Sequence, residues 1–239
     1  MPDLTCEDAD HASGRDLALP VKSLAGERLG AVRVNPRGLE GDRLWALVDA
    51  DGAIAAGKTT RRFRKVGGLL HHRSHLEHGQ PVITLADGRA ARADDPGLAG
   101  LVAAITPSGW SLRRENSTPY FDAAAVHVTT TTTLAALSEA IGEPVPVQRL
   151  RPNLLLDVQS SGRFLEDEWL GRTLRVGTVE LRIVDRCERC VMVGHSQTAL
   201  QSRPRLLKTI GKLNGACAGV YAEVIAPGEL KENDRAHLA

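Results

Sequence analysis

Three features of the 239-residue sequence predict an α+β fold that is predominantly β. Short apolar runs recur at close spacing, with Gly, Asp or Pro between them. Dipeptides of the hairpin-turn kind stand at Asp51-Gly52 and Asp87-Gly88. Strand candidates outnumber helix candidates along the whole chain. Residues 1–16 read as a polar leader. From Leu17 onward the runs LALPV, GAVRV, LWALVDADG and VITLADG predict short antiparallel strands. A short helix is expected over Leu98–Ile105 and a further strand over Trp110–Arg114.

The second half opens with a strand at Ala125–Thr129. A helix follows over Thr133–Ile141, because Leu134, Leu137 and Ile141 fall at i, i+3 and i+7. Threonines supply its N-cap and Gly142 with Pro144 its stop. Strands are expected at Asn153–Val158, Thr173–Val176, Val179–Val184 and Val220–Ile225. A short helix is expected over Pro204–Ile210, with Pro204 in its first turn.

Composition narrows the function. Thirty Lys and Arg balance 29 Asp and Glu, so no basic field exists to hold nucleic acid, and 3% aromatics leave few platforms for stacking bases. No run of about 20 apolar residues is present, so no membrane span is expected. The acidic, polar N-terminus lacks the basic start and apolar stretch of a signal peptide, and a cytoplasmic location is expected. In that compartment Cys6, Cys187, Cys190 and Cys217 are expected to be free thiols, ligands or nucleophiles rather than a disulfide framework.

The sharpest chemical feature is Cys187-Glu188-Arg189-Cys190 after a strand. Thiolates bind soft metals and carry redox chemistry, and Arg186 and Arg189 place positive charge alongside. Four readings compete: a structural zinc site, a redox pair, an inert buried pair, and one cysteine ligating the metal of a bound cofactor. Lys58, Arg61, Arg62, Arg64 and Lys65 place five cations in eight residues, a composition that suits a phosphate or a solvated face. His71, His72, His75 and His78 crowd together. If that stretch is helical, His71 and His75 are a turn apart, a spacing that can chelate a metal, although a solvated helix is the plainer expectation. No GxSxG, P-loop, HExxH or Rossmann glycine pattern occurs.

Five short motifs stand in one order: Pro20-Val-Lys22-Ser23-Leu, then Gly38-Leu-Glu-Gly41-Asp42-Arg43-Leu-Trp45, then Arg149-Leu-Arg151-Pro152-Asn153, then Phe164-Leu-Glu166-Asp167-Glu-Trp169, then Cys187-Glu-Arg189-Cys190. In that order they resemble the MOSC family with its N-terminal β-barrel subdomain, from about residue 17 to the C-terminus. The resemblance implies a MOSC-type β-barrel with a smaller N-terminal β-rich lobe. The lobe is placed at 17–120 and the MOSC domain at 121–239. It further implies a molybdenum–molybdopterin cofactor (Moco) with Cys190 as metal ligand. By motif position Lys22, Ser23, Arg43, Arg151, Asn153 and Arg189 would surround the pterin and its phosphate, joined more weakly by Lys58, Thr59, Thr60 and Thr130. Glu166, Asp167 and Trp169 are read as capping and packing residues instead.

The implied activity is that of a molybdenum-dependent oxidoreductase taking oxygen from N-hydroxylated small molecules. No flavin, nicotinamide or iron–sulfur pattern is present, so a separate electron-donor protein is expected as a partner. Two alternatives stand beside it: a persulfide-based sulfur carrier or transferase working through Cys190, and a carrier that binds the cofactor without turnover. The stretch Val191-Met-Val-Gly-His195 departs from the family's usual loop after the cysteine. It places His195 on the expected substrate side, as a group able to move a proton.

Overall fold

The computed structural model describes residues 16–239; the polar leader up to residue 15, with Cys6, lies outside the described residues. The largest element is a six-stranded sheet that curls into a half-barrel. Its order is Leu154–Leu156, Val126–Thr130, Cys217–Ala226, Val179–Glu188, Thr173–Val176 and Ala236–Leu238. All neighbours in it run antiparallel except the first pair. The ten-residue strand Val179–Glu188 alternates buried and open positions near its start, as period-2 patterning requires. Register shifts against Cys217–Ala226, the last of them between Arg186 and Glu188, re-aim its end.

The core of this sheet draws in Val32, Val34 and Leu39 from far up the chain, packed with Val128, Leu174, Leu181, Ile183 and Val220. Ala31–Asn35 also pairs with Gly228–Lys231 near the C-terminus. A second core holds Val21, Leu24, Leu47, Ala55, Leu69, Ile83 and Val102. It lies among a four-stranded sheet (Ser111–Arg114, Trp45–Val48, Ile54–Ala56, Phe63–Lys65) and a three-stranded one (Ala90–Arg92, Gln80–Thr84, Arg73–Glu77). Helix α1 (Leu98–Ala103) caps that unit. Helices α2 (Thr131–Ile141) and α3 (Arg205–Asn214) pack together through Leu137, Leu206 and Ile210.

Most predicted elements are present at their predicted places. Both turn dipeptides join antiparallel strands, with Gly52 and Gly88 at positive φ. Thr130 caps α2 by accepting from the Thr133 N–H. Helix α3 runs on past Ile210, through Gly211, to Asn214, and Gly215 in the left-handed conformation ends it. The histidine-rich stretch is a correction. Only Leu69–His71 forms a helical turn, and Arg73–Glu77 is a strand. His78 and Gly79, both at positive φ, turn that strand onto Gln80–Thr84 in a two-residue hairpin. Sheet pairing thus overrides the local helical spacing, and His71 and His75 share no helix face. Among the described residues no group of three or more His, Cys, Asp or Glu could hold a metal ion, and no helix is long and apolar enough to cross a membrane.

Candidate functional site

Of the chain segments that meet at one cavity, four carry most of the expected residues, and hydrogen bonds hold each in place. The first is the turn after Val21. Lys22 N donates to Trp45 O at 2.8 Å and Val21 N to Ser74 Oγ at 3.2 Å, which leaves the buried Lys22 and Ser23 side chains at the cavity wall. The second is the segment ending in Arg43. Arg37 braces it by pairing with Glu115 and donating to Asp42 O and Arg43 O. Buried Asp42 accepts from Leu19 N at 2.8 Å and from Arg43 at 2.5 Å.

The third segment carries Arg151 and Asn153. Asn153 is fully buried, and its Oδ1 accepts from both His127 N (3.0 Å) and Arg43 (3.2 Å). Arg43 also donates to Arg151 O at 3.3 Å, and Arg151 to Leu24 O at 2.7 Å. The fourth is the end of Val179–Glu188 and the turn Val191–Gly194 behind it. Cys187 is fully buried, and its sulfur accepts from Arg189 at 2.7 Å. Arg189 donates as well to Leu150 O at 2.6 Å. Cys190 is only half-buried and lines the cavity; both cysteines are free.

Backbone strain marks the same place. Ser23, Arg43 and Arg151 have φ of 69°, 48° and 54°, the left-handed region that non-glycine residues rarely adopt. Such conformations cost about 1–3 kcal/mol each and gather at functional sites. Glycine is required against a wall residue: Gly219 has φ of 87°, and a Cβ there would lie 2.3 Å from Nε2 of His127, which lines the cavity.

The cavity is a concentrated positive field. Lys22, Lys58, Arg43, Arg151 and Arg189 line it against two carboxylates, Asp122 and Glu188. Asp122 stands between the lysines, 2.5 Å from Lys22 Nζ and 3.0 Å from Lys58 Nζ. Burial alone would raise the Asp122 pKa, but the two lysines outweigh it and hold the carboxyl below the usual range. Burial pushes Lys22 down to about 8, with Arg43 and Arg151 adding to the effect against the pull of Asp122. Arg151 falls to about 9, through burial and then Arg43. His127 is driven well below its usual value by burial, Arg189 and Arg43, so the imidazole is neutral. Tyr221, whose ring lies 5.9 Å from His127, is raised by burial and by Cys187, which keeps its phenol protonated.

Of the sequence-predicted residues, Lys22, Ser23, Arg43, Lys58, Arg151, Asn153, Arg189 and Cys190 converge on this cavity. The others do not. Thr59 and Thr60 are exposed, and Thr60 Oγ1 holds its own turn by accepting from Arg62 N and Phe63 N. Thr130 is fully buried and donates to Glu166 at 2.6 Å. Glu166, also fully buried, accepts from Thr129 and Thr133 as well, which agrees with a packing role for its motif. His195 lines a neighbouring cavity, its Nε2 2.8 Å from Gly57 O. Arg186 turns away from the cysteines to Asp167 (2.8 Å) and Asn214 (2.6 Å).

The basic stretch divides in the same way. Lys58 reaches the cavity, Arg64 pairs with Asp49 and Asp51, and Lys58 and Arg62 lie over the Phe63 ring. Sequence reasoning missed Asp122, His127, Met192 and Tyr221. Only His127 carries a signal, as the one titratable group in an otherwise apolar and threonine-rich strand.

The family model for the MOSC domain matches residues 114–237, and that for the MOSC N-terminal beta barrel domain matches residues 17–94. No curated protein gives a match. Among solved structures the chain is similar to the YUAD protein from Bacillus subtilis, with 10% identity, 95% of this chain and 96% of that chain covered, and a TM-score of 0.52. It is also similar to YiiM from Geobacillus stearothermophilus (21% identity, 48% and 54% covered, TM-score 0.39) and YiiM from Escherichia coli (11%, 95% and 69%, 0.42). At these identities the likeness to the YUAD protein speaks for a shared fold alone.

Proposed function

This chain belongs to the MOSC domain family, which is associated with binding of the molybdenum cofactor, and from that premise we propose that it is a molybdenum-dependent oxidoreductase with its cofactor in the Cys190 cavity. One observation carries the reading: among the described residues, an accessible cysteine shares a cavity with five cations and two carboxylates.

The residues present fit such a group. A thiolate from Cys190 is a suitable ligand for a soft metal. Lys22, Lys58, Arg43 and Arg151 suit a phosphate through charge-assisted hydrogen bonds. Asn153 serves by holding Arg43 and the His127 backbone in place. Asp122, bridging the two lysines, is the internal anion that a phosphate has to displace. The cavity around it measures about 110 Å³, less than the roughly 150 Å³ that holds benzene, so it has room for the phosphate end of the group, and a whole pterin requires more of the wall than Asp122 to move.

When bound, this cofactor supplies two-electron oxygen-atom exchange. The chain's own groups bind, orient and hold protons. Arg189, locked to Cys187 and Leu150 O, fixes the strand end from which Cys190 projects. Tyr221 keeps its phenolic proton and serves as a hydrogen-bond donor, and neutral His127 adds no further charge to a crowded cationic wall. N-hydroxylated small molecules are the substrate class favoured by the family resemblance, with electrons from a separate donor protein.

Metal analysis and an ultraviolet–visible spectrum of natively expressed protein test the reading. Near-stoichiometric molybdenum with a pterin chromophore is the expected result. Cyanide-releasable sulfane sulfur on Cys190 without metal would replace it with the persulfide reading. Cofactor that passes to an apo-enzyme without turnover would replace it with a carrier.

A further inference from the structure

A second cavity, of about 240 Å³, lies beside the first. One wall is the segment 65–70 of the N-terminal half and the other runs from Met192 to Ser202. Met192 lines both cavities, and Gly57 of the second stands between Ala56 and Lys58 of the first, so the two spaces are neighbours. Its lining is mixed: Val66, Leu69, Leu70 and Met192 supply the apolar part, beside Lys65, His195, Ser196 and Ser202.

The polar groups around it are largely engaged with one another. His195 Nε2 bonds Gly57 O, Ser196 Oγ bonds His71 Nε2 at 3.0 Å, and Ser202 Oγ donates to Gly194 O. Among the described residues the wall holds one Lys, the exposed Lys65, and no Arg, Asp or Glu. Three glycines, Gly57, Gly67 and Gly68, give part of the wall no side chain at all. Gly57 is needed for the close approach of the two segments, since a Cβ there would lie 2.5 Å from Met192 Sδ. At Gly67 no such contact exists and φ is not positive, so a side chain would enter open space.

We propose that this second cavity is the substrate pocket, holding the apolar body of a small neutral or anionic molecule whose reacting end passes Met192 toward Cys190. The inference rests on the functional reading above for what happens at that reacting end, but not for the binding itself. A cavity of about 150 Å³ is enough for benzene, so the space here suits one ring with a short polar substituent. Val66, Leu69, Leu70 and Met192 favour the ring, the serines and His195 suit its polar substituent, and the Lys65 ammonium disfavours a cationic ligand. His195 belongs to this pocket and contacts the substrate's body rather than the metal side.

Fluorine NMR with 4-fluorobenzamide as probe tests the proposal on the full chain. The parent protein is expected to bind it at millimolar concentration or better, and Gly67→Leu, which adds a side chain to the lining at an open, unstrained position, to weaken binding at least tenfold with melting temperature and molybdenum content unchanged. Met192→Ala, which trims the side chain shared by the two linings, is expected to retain binding. Equal binding by parent and Gly67→Leu, or no binding by the parent, overturns the pocket. Binding that Gly67→Leu abolishes in a protein devoid of molybdenum supports the pocket and overturns the cofactor reading, so the two failures are distinct.

Discussion

Replacing Lys22 with methionine separates a binding role from a structural one. The Lys22 ammonium is buried, and its pKa falls from 10.5 to about 8. The unfolded chain therefore holds, between pH 8 and 10.5, a proton that the folded protein releases. The gap corresponds to about 3 kcal/mol of destabilisation that is fully present below pH 8 and relieved as pH rises to 10.5. Lys22→Met removes that burden, while Asp122 keeps Lys58 at 3.0 Å. The cofactor-free variant should thus melt no lower than the parent at pH 7, and its stability should lose the parent's rise across that alkaline window. Anion binding should suffer instead. A charged hydrogen bond is worth about 1.5–3 kcal/mol, or roughly tenfold to a hundredfold in affinity. Thermal melts at pH 6.5–9.5 with and without inorganic phosphate, together with molybdenum content, make the measurement. In the parent the phosphate effect should fade as pH passes about 8, because the bound anion needs the protonated amine. A collapsed melting temperature with unchanged phosphate response and molybdenum content would refute the reasoning.

Cys190→Ser should abolish molybdenum-linked activity, whereas Cys187→Ser, at a buried sulfur that holds Arg189, should cost stability first; full activity in purified Cys190→Ser removes the ligand assignment. Glu166→Ala strands three buried threonine hydroxyls and should destabilise the fold by about 3–5 kcal/mol in denaturant titrations, with loss under 1 kcal/mol contradicting the network. His195→Ala should leave molybdenum bound and raise KM more than it lowers kcat, because His195 lines the second cavity. Unchanged KM and turnover make His195 a bystander held by Gly57 O.

Much of the architecture is written in local pattern. Alternation in Ala31–Asn35 and Thr173–Val176, the Asp-Gly turns, and the threonine cap and Gly142 stop of α2 all act within a few residues, so they are readable without a structure. The motif order likewise names eight of the residues that line the cavity. What local pattern cannot carry is convergence. Lys22, Arg43, Arg151 and Cys190 meet because sheet pairing and two interlocking cores bring distant segments together, and Ser23, Arg43 and Arg151 accept left-handed backbone to do so. Hairpin pairing turned the histidine run into a strand, and packing sent Thr130 inward to Glu166 and Arg186 outward to Asp167. Asp122, between the two lysines, belongs to no motif. Its role exists only because lysines 64 and 100 residues away lie within bonding distance, and such proximity is a property of the packed chain rather than of any stretch of sequence.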